Sequence, residues 1–319
     1  MRLLVTGGNG FIGSHFVRQH LKRFPNDEVV NLDVLSYAGR KENLLDIEKD
    51  PRYHFVQGDI RDRVTVEKAM QGCEAVVHFA AESHVDNSLN DASAFIETNI
   101  TGTYRLLDAA RHHDIKRFLH ISTDEVYGHI LEGSFTEKDL LHPRNPYSAS
   151  KAGAEMMVHA FKETYGLPTI ITRSSNNFGP NQFPEKVIPL FITNLLRGKK
   201  VPLYGEGKNI RDWIFVEDNC NGIEIALRSG KVGEVYNIAG EQELTNLELT
   251  HAILHQLGKG EEMIQRVEDR KGHDLRYSLD ASKIKELGYS PTLPFTTRLQ
   301  QTVKWYRENE WWWKPLVKN

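Results

Sequence analysis

The junction at residues 2–14, "RLLVTGGNGFIGS", restricts the fold of this chain more than any other stretch. A short apolar run ends directly on a glycine cluster. Gly8, Gly10 and Gly13 satisfy G-x-G-x-x-G, and Gly7, Gly10 and Gly13 satisfy G-x-x-G-x-x-G. The apolar spacing from Phe11 to Phe24 then predicts an amphipathic helix. Glycine permits a tight turn and close approach of backbone to a ligand, and a helix N-terminus offers free N–H groups and a positive dipole end. A glycine triplet alone is a weak signal, but strand before and helix after is the context in which it cradles a pyrophosphate. Phe11 and Ile12, in the first helical turn, join Gly7, Gly10 and Gly13 as candidate binding residues.

The rest of the first half repeats that alternation. "EVVNLD" (28–33), "YHFVQGD" (53–59), "EAVVHFAA" (74–81), "KRFLHIS" (116–122) and "PTIITR" (168–173) read as strands separated by helical stretches. Strands alternating with helices imply parallel βαβ units, hence a Rossmann-like doubly wound α/β sheet whose ligand crevice lies at the C-terminal strand ends. From about Asn176 the character changes to a Gly/Pro/Asn loop, "NNFGPNQFPEK", then mixed short strands and helices. The expected division is a cofactor-binding domain over 1–175 and a smaller mixed α/β substrate-binding lobe over 176–319, with "EVYNIAG" (234–240) returning to the first. The tail "EWWWKP" reads first as an aromatic anchor for the last helix, with a partner surface as the alternative.

At 319 residues the chain is long enough for a sizeable core. Its formal net charge of −3, with both signs interspersed, gives no nucleic-acid footprint. Two distant cysteines, Cys73 and Cys220, argue against a disulfide framework and for a reducing compartment. No His/Cys spacing marks a metal site, so none is expected. His112–His113 fits a helix end, where a cation suits the dipole. No apolar run approaches the ~20 residues needed to span a bilayer. "MRLLVTGG" begins a strand at once, leaving no room for a leader, so a cytoplasmic protein is expected.

Asp33 stands at the end of the second strand, 20 residues past Gly13. A carboxylate there accepts hydrogen bonds from ribose hydroxyls and repels a 2′-phosphate, which favours NAD over NADP. Asp59 and Ile60, ending the third strand, are placed either to flank the adenine or to form a simple turn. "YSASK" (147–151) puts Tyr147 and Lys151 on one helical face at i, i+4. A nearby ammonium favours the phenolate, and a nicotinamide cation adds to that. Between these motifs lies "STDEVYG" (122–128), in which two adjacent carboxylates, Asp124 and Glu125, follow a strand. Neighbouring strand residues point to opposite faces, so the pair must lie where the strand is ending if both are to reach one ligand.

Together these motifs resemble an extended short-chain dehydrogenase/reductase. "STDEVYG", "TGGNGFIGSHFVR", "NLDVLSYAG", "HFAAESHVDNS", "NPYSASKA", "NNFGPNQFPEKVIPLFI", "LYGEGKNIRDWIFVED", "VYNIAG" and "DRKGHDLRY" further resemble the dTDP-glucose 4,6-dehydratases of deoxysugar synthesis. The resemblance implies Tyr147 as base at the sugar C4 hydroxyl, supported by Lys151 and with Thr123 bonded to that hydroxyl. It implies Glu125 as acceptor of the C5 proton and Asp124 as donor to the departing C6 hydroxyl. Such a donor must hold its proton near neutral pH, against a free pKa of ~3.9. Burial and the adjacent Glu125 both push that way, and the two would titrate as a pair.

Further cofactor contacts are implied at Ala80, Ala81, Ser83, Asn99 and Asn177. Nucleotide-sugar contacts are implied at Ser83, Asn176, Lys186, Val187, Leu190, Pro202, Leu203, Tyr204, Arg211, Asn246, Arg270 and His273. The family's assembly, a homodimer, is implied as well. Lys271 departs from the family's usual proline in "DRPGHD", which removes a rigid φ and adds a cation near the expected diphosphate. Asn9 stands where alanine is commoner and is expected to change little. Nucleotide-sugar epimerases need the tyrosine and cofactor but not the carboxylate pair. CDP-glucose and GDP-mannose dehydratases are closer rivals, separated by base recognition. A non-catalytic NAD-binding scaffold could have lost Tyr147, Lys151 or the carboxylates, and all are present.

Overall fold

The computed structural model describes residues 1–269 and 274–317. Arg270 and His273, together with Lys271, lie outside the described residues. The strands are β1 Arg2–Thr6, β2 Glu28–Asp33, β3 Tyr53–Gln57, β4 Ala75–His78, β5 Arg117–Thr123, β6 Thr169–Ser174, β7 Asn176–Phe178, β8 Val201–Tyr204, β9 Ile210–Phe215, β10 Val235–Ile238, β11 Glu243–Thr245 and β12 Ile264–Val267. Seven of them form one parallel sheet in the order β10-β6-β5-β4-β1-β2-β3. The order reverses at β1, so the crevice opens beside β1 and β4, at the carboxyl ends of the strands. The doubly wound architecture expected from the alternation is therefore present.

Burial on both faces explains the near-continuous apolar strands. Successive residues feed opposite layers: Leu3 and Val5 pack into one cluster and Leu4 into the other, as do Val77 and Val76. β10, late in the chain, pairs with β6 and extends the same sheet. The remaining strands form a three-stranded sheet, β11-β9-β7, and a parallel pair, β12-β8. A separate core of Phe178, Trp213, Phe215, Leu249, Tyr306, Trp312 and Trp313 fills this region. The aromatic tail is thus an anchor for two of its three indoles; Trp311 remains 57% exposed.

The helix Pro146–Tyr165 begins as its sequence dictates. Asn145 accepts a hydrogen bond from Ser148 N, Ser148 reciprocates in a capping box, proline occupies the first turn, and Gly166 closes the helix at φ 69°. Its buried Glu155 pairs with Arg173 of β6, at 2.5 Å, with side chains 0% and 6% exposed. Arg173 also donates to the Tyr127 hydroxyl at 2.6 Å, which donates to Asn237 of β10 at 2.9 Å. Removing one member of such a pair leaves a buried charge uncompensated, so Glu155→Ala should lower stability by ~3–5 kcal/mol. Denaturant unfolding checks this; a loss below ~1 kcal/mol would mean that the ion is re-solvated on truncation.

Candidate active site

One cavity of about 450 Å³ runs along the strand ends. At one end it is lined by Gly7, Gly10, Phe11, Ile12, Gly13, Asp33, Asp59 and Ile60, and at the other by Thr123, Asp124, Glu125, Tyr147 and Lys151. Ala80, Ala81, Ser83, Asn176, Asn177 and Lys186 also line it. Gly7 adopts φ 72°, and a Cβ there would stand 2.6 Å from Ala80 N. A Cβ on Gly13 would meet Gly7 O at 2.3 Å, so the turn and the helix Phe11–Arg23 can approach only as glycines. No side chain caps that helix at Gly10, which leaves its first-turn N–H groups for an anion.

Asp33 accepts from Asn9 N and Leu35 N, each at 2.8 Å, while burial pushes its pKa up against those bonds. Asp59 is paired with Arg61 at 2.6 Å. The polar acceptor at Asp33, the uncapped helix and the cavity at the strand ends fit a dinucleotide. Three buried polar atoms on its wall, Ser122 Oγ, Asp124 Oδ2 and Asn176 Oδ1, have no protein partner, as a site built for a polar ligand requires.

Asp124 and Glu125 face one cavity because β5 ends at Thr123 and the chain enters a 3₁₀ turn over Asp124–Tyr127. That resolves the alternation problem posed by adjacent carboxylates. Thr123 donates to Asp124 Oδ1 at 3.0 Å and accepts from Glu125 N at 3.3 Å. Asp124 is 3% exposed. Burial, then the neighbouring Glu125, push its pKa up to about 8. Burial also raises Glu125, opposed by Lys186, Arg211 and a hydrogen bond from Asn145 Nδ2 at 3.4 Å. Asn145 therefore caps the helix that carries Tyr147 and also steadies Glu125.

The phenol of Tyr147 differs from expectation. Burial and then Glu125 push its pKa well above the ordinary range; the opposing influence is a hydrogen bond with Thr123. The Lys151 ammonium does not drive it to phenolate in the protein alone. Lys151 Nζ donates to the Ile121 carbonyl at 2.7 Å, and burial lowers its pKa to about 8 while Glu155 pulls it back up.

Several expected contacts stand away from this cavity. Asn99 is buried and brackets Glu82, accepting from its N–H at 2.8 Å and donating to its carbonyl at 3.0 Å. Val187 and Leu190 lie on the helix that follows Lys186. Pro202, Leu203 and Tyr204 lie on β8, with Leu203 buried. Asn246 opens the helix Asn246–Leu257. Arg211 donates to the carbonyls of Ile210 and Asp274, and its guanidinium lies 4.3 Å over the Tyr277 ring. Its charge nevertheless reaches Asp124 and Glu125. Among residues missed from sequence, Ser122, Ser175, Gln182 and Glu185 line the cavity and Asn145 supports it. "NPYSASKA" carried the only signal for Asn145, as a helix cap. Asn9 is not a neutral replacement: its side chain donates to Arg40 O at 3.0 Å and accepts from Asn31 Nδ2 at 2.7 Å. Among the described residues no His/Cys/Asp/Glu group is arranged to hold a metal ion, and no helix is long and apolar enough to cross a membrane.

Comparison with known proteins agrees with this geometry. The family model described as GDP-mannose 4,6 dehydratase matches residues 4–302. The low-salt glycan biosynthesis protein Agl12 of Haloferax volcanii is 54% identical over 96% of this chain and 98% of its own. A dTDP-glucose 4,6-dehydratase of Streptomyces niveus is 50% identical over 99% of this chain and 96% of its own. A solved structure of a double mutant of DesIV, a dTDP-glucose 4,6-dehydratase from Streptomyces venezuelae with NAD bound, is 54% identical. It superposes with a TM-score of 0.98 over 99% of this chain and 100% of that one. With the Tyr147–Lys151 helix, the carboxylate pair and the glycine turn on one cavity, the chain belongs to the nucleotide-sugar 4,6-dehydratases, on their dTDP-glucose branch.

Proposed function

We propose that the protein converts dTDP-glucose to dTDP-4-keto-6-deoxyglucose, in deoxysugar synthesis, with NAD held in the strand-end cavity. When bound, NAD supplies a hydride acceptor for C4, and later the donor to C6. Tyr147 takes the C4 hydroxyl proton, with Thr123 bonded to the same oxygen and Lys151 supporting. Its raised pKa means that the phenol keeps its proton until substrate and cofactor are in place. Once C4 is a ketone the C5 proton is acidic; Glu125 removes it and Asp124 protonates the departing C6 oxygen. The observation that carries this reading is the placement of buried Asp124, its pKa raised by that burial, beside Glu125 in the cavity that Tyr147 and Lys151 line. An epimerase needs no such acid–base pair.

Residues 1–175 hold the cofactor in this reading, and residues 176–319 contribute most of the nucleotide grip. Ser83, Asn176 and Lys186 contact substrate from the cavity wall; Val187, Leu190, Pro202 to Tyr204, Arg211 and Asn246 bind the nucleotide beyond it, and Arg270 and His273, which lie outside the described residues, are assigned to the nucleotide by the family resemblance. The active form is a homodimer in the cytoplasm, where the buried thiols of Cys73 and Cys220 stay reduced. A panel of dTDP-, UDP-, CDP- and GDP-hexoses tests the substrate. The highest kcat/KM is expected for dTDP-glucose, and a clear preference for GDP-mannose or CDP-glucose would overturn the nucleotide assignment.

The raised acid predicts a pH limb. Asp124 keeps its proton below about pH 8 and loses it above. Elimination should hold at neutral pH and fall as pH rises through about 8. Because Glu125 must be ionised, its own raised pKa sets the opposite limb, and the two limbs belong to the pair. Single-turnover elimination rates across pH test this. Rates still climbing above pH 8 would remove Asp124 from the acid role.

A further inference from the structure

Two features left unused by the chemistry meet in one polar chain. Trp312, 1% exposed near the C-terminus, donates through Nε1 to Asn43 Oδ1 at 2.8 Å. Asn43, also 1% exposed, donates through Nδ2 to the Asn9 carbonyl at 2.8 Å. The Asn9 N–H donates in turn to Asp33 Oδ2 at 2.8 Å. Every link is buried and spans a large sequence separation, and Asn181 Nδ2 also donates to Asn43 Oδ1 at 3.2 Å. The Asn9 side chain is tied to Arg40 and Asn31, and Asn31 Oδ1 accepts from Gly8 N at 3.0 Å. Apart from Asp33, the glycine turn is therefore held from outside, by Trp312, Asn43, Arg40 and Asn31, none of which lines the cavity.

Glycine turns have the largest conformational freedom to lose, so their geometry must be fixed by neighbours. Here Asn9 sits between Gly8 and Gly10, and both its backbone groups are spoken for by this chain of bonds. The Arg40 guanidinium lies 5.4 Å over the Trp312 ring and keeps the loop after β2 against the tail. We propose that Trp312 and Asn43 are cofactor-positioning residues: they clamp the glycine turn and orient Asp33, so that the C-terminal segment sets how long NAD is retained. The proposal rests on the reading that NAD occupies this cavity.

The test uses the full-length protein loaded with NAD, as Trp312→Phe, Asn43→Ala and the double variant. Trp312→Phe keeps an aromatic ring and loses the N–H. The readout is the rate at which bound NAD is lost after rapid desalting, followed by mass spectrometry, with thermal unfolding measured in parallel. A lost buried hydrogen bond that shifts a binding equilibrium corresponds to ~10-fold in the rate for Asn43→Ala and ~5-fold for Trp312→Phe. Since Trp312 acts through Asn43, the double variant should lose NAD within ~2-fold of Asn43→Ala alone. Independent structural damage would instead multiply the two effects, and that result, or a wild-type rate in Asn43→Ala, overturns the proposal. Absence of NAD from the unmodified protein after loading would instead overturn the cofactor reading itself.

Discussion

Glu125→Gln should stop the reaction between oxidation and elimination. The amide keeps the shape of the carboxylate and its contact with Asn145, but it cannot accept the C5 proton. Losing one general catalyst costs ~10²–10⁴-fold in the step that it serves. In the proposed mechanism oxidation at C4 uses Tyr147 and the cofactor, so a 4-ketohexose should build up on the enzyme within one turnover. Solvent deuterium should not enter C5. Asp124→Asn stalls the same elimination for a different reason, because its amide cannot protonate the leaving oxygen. Glu125 still works there, so exchange at C5 should continue. Rapid-quench mass spectrometry in heavy water distinguishes the two. Exchange lost in Asp124→Asn and kept in Glu125→Gln would mean that acid and base are reversed.

Tyr147→Phe should act one step earlier and at least as strongly. Among the described residues Tyr147 is the one phenol that lines the cavity, and it is hydrogen-bonded with Thr123. Burial and the two carboxylates favour the protonated phenol, so the phenolate that accepts the C4 hydroxyl proton forms only once substrate and the cationic cofactor are in place. Without it the C4 hydroxyl proton has no acceptor, and ~10²–10⁴-fold of rate should go. The phenylalanine ring keeps the edge-on packing of residue 147 against Phe95, whose ring centroid lies 6.3 Å away, so folding should survive. On mixing with substrate, absorbance of reduced nicotinamide should not rise in the variant. A near wild-type rise would place the base elsewhere.

The parts of this site that were legible in the sequence are those fixed by local physics. The glycine turn, the strand ending on Asp33, the i, i+4 pair of Tyr147 and Lys151, and the carboxylates after β5 are each contained within a few residues. The need for β5 to end before Asp124 followed from side-chain alternation alone. What was not legible joins distant segments. Glu155 and Arg173 read as ordinary helix and strand residues until the sheet places them together. Lys151 is four residues from Tyr147, but its ammonium is engaged by Ile121 O, a partner set by β5 packing under the helix. Asn9 looked interchangeable with alanine because its partners, Arg40 and Asn31, arrive from the next βα unit. The tryptophans were legible as an anchor, but not as a link to the glycine turn.

The central claim is that one cavity oxidises C4, eliminates across C5 and C6, and returns the same hydride to C6. dTDP-glucose carrying deuterium at C4 tests it most directly, with the product examined by NMR and mass spectrometry. The account predicts a 4-keto-6-deoxy sugar with the deuterium at C6. Deuterium back at C4 of a C4-inverted hexose would identify an epimerase, and would contradict the roles assigned to Asp124 and Glu125.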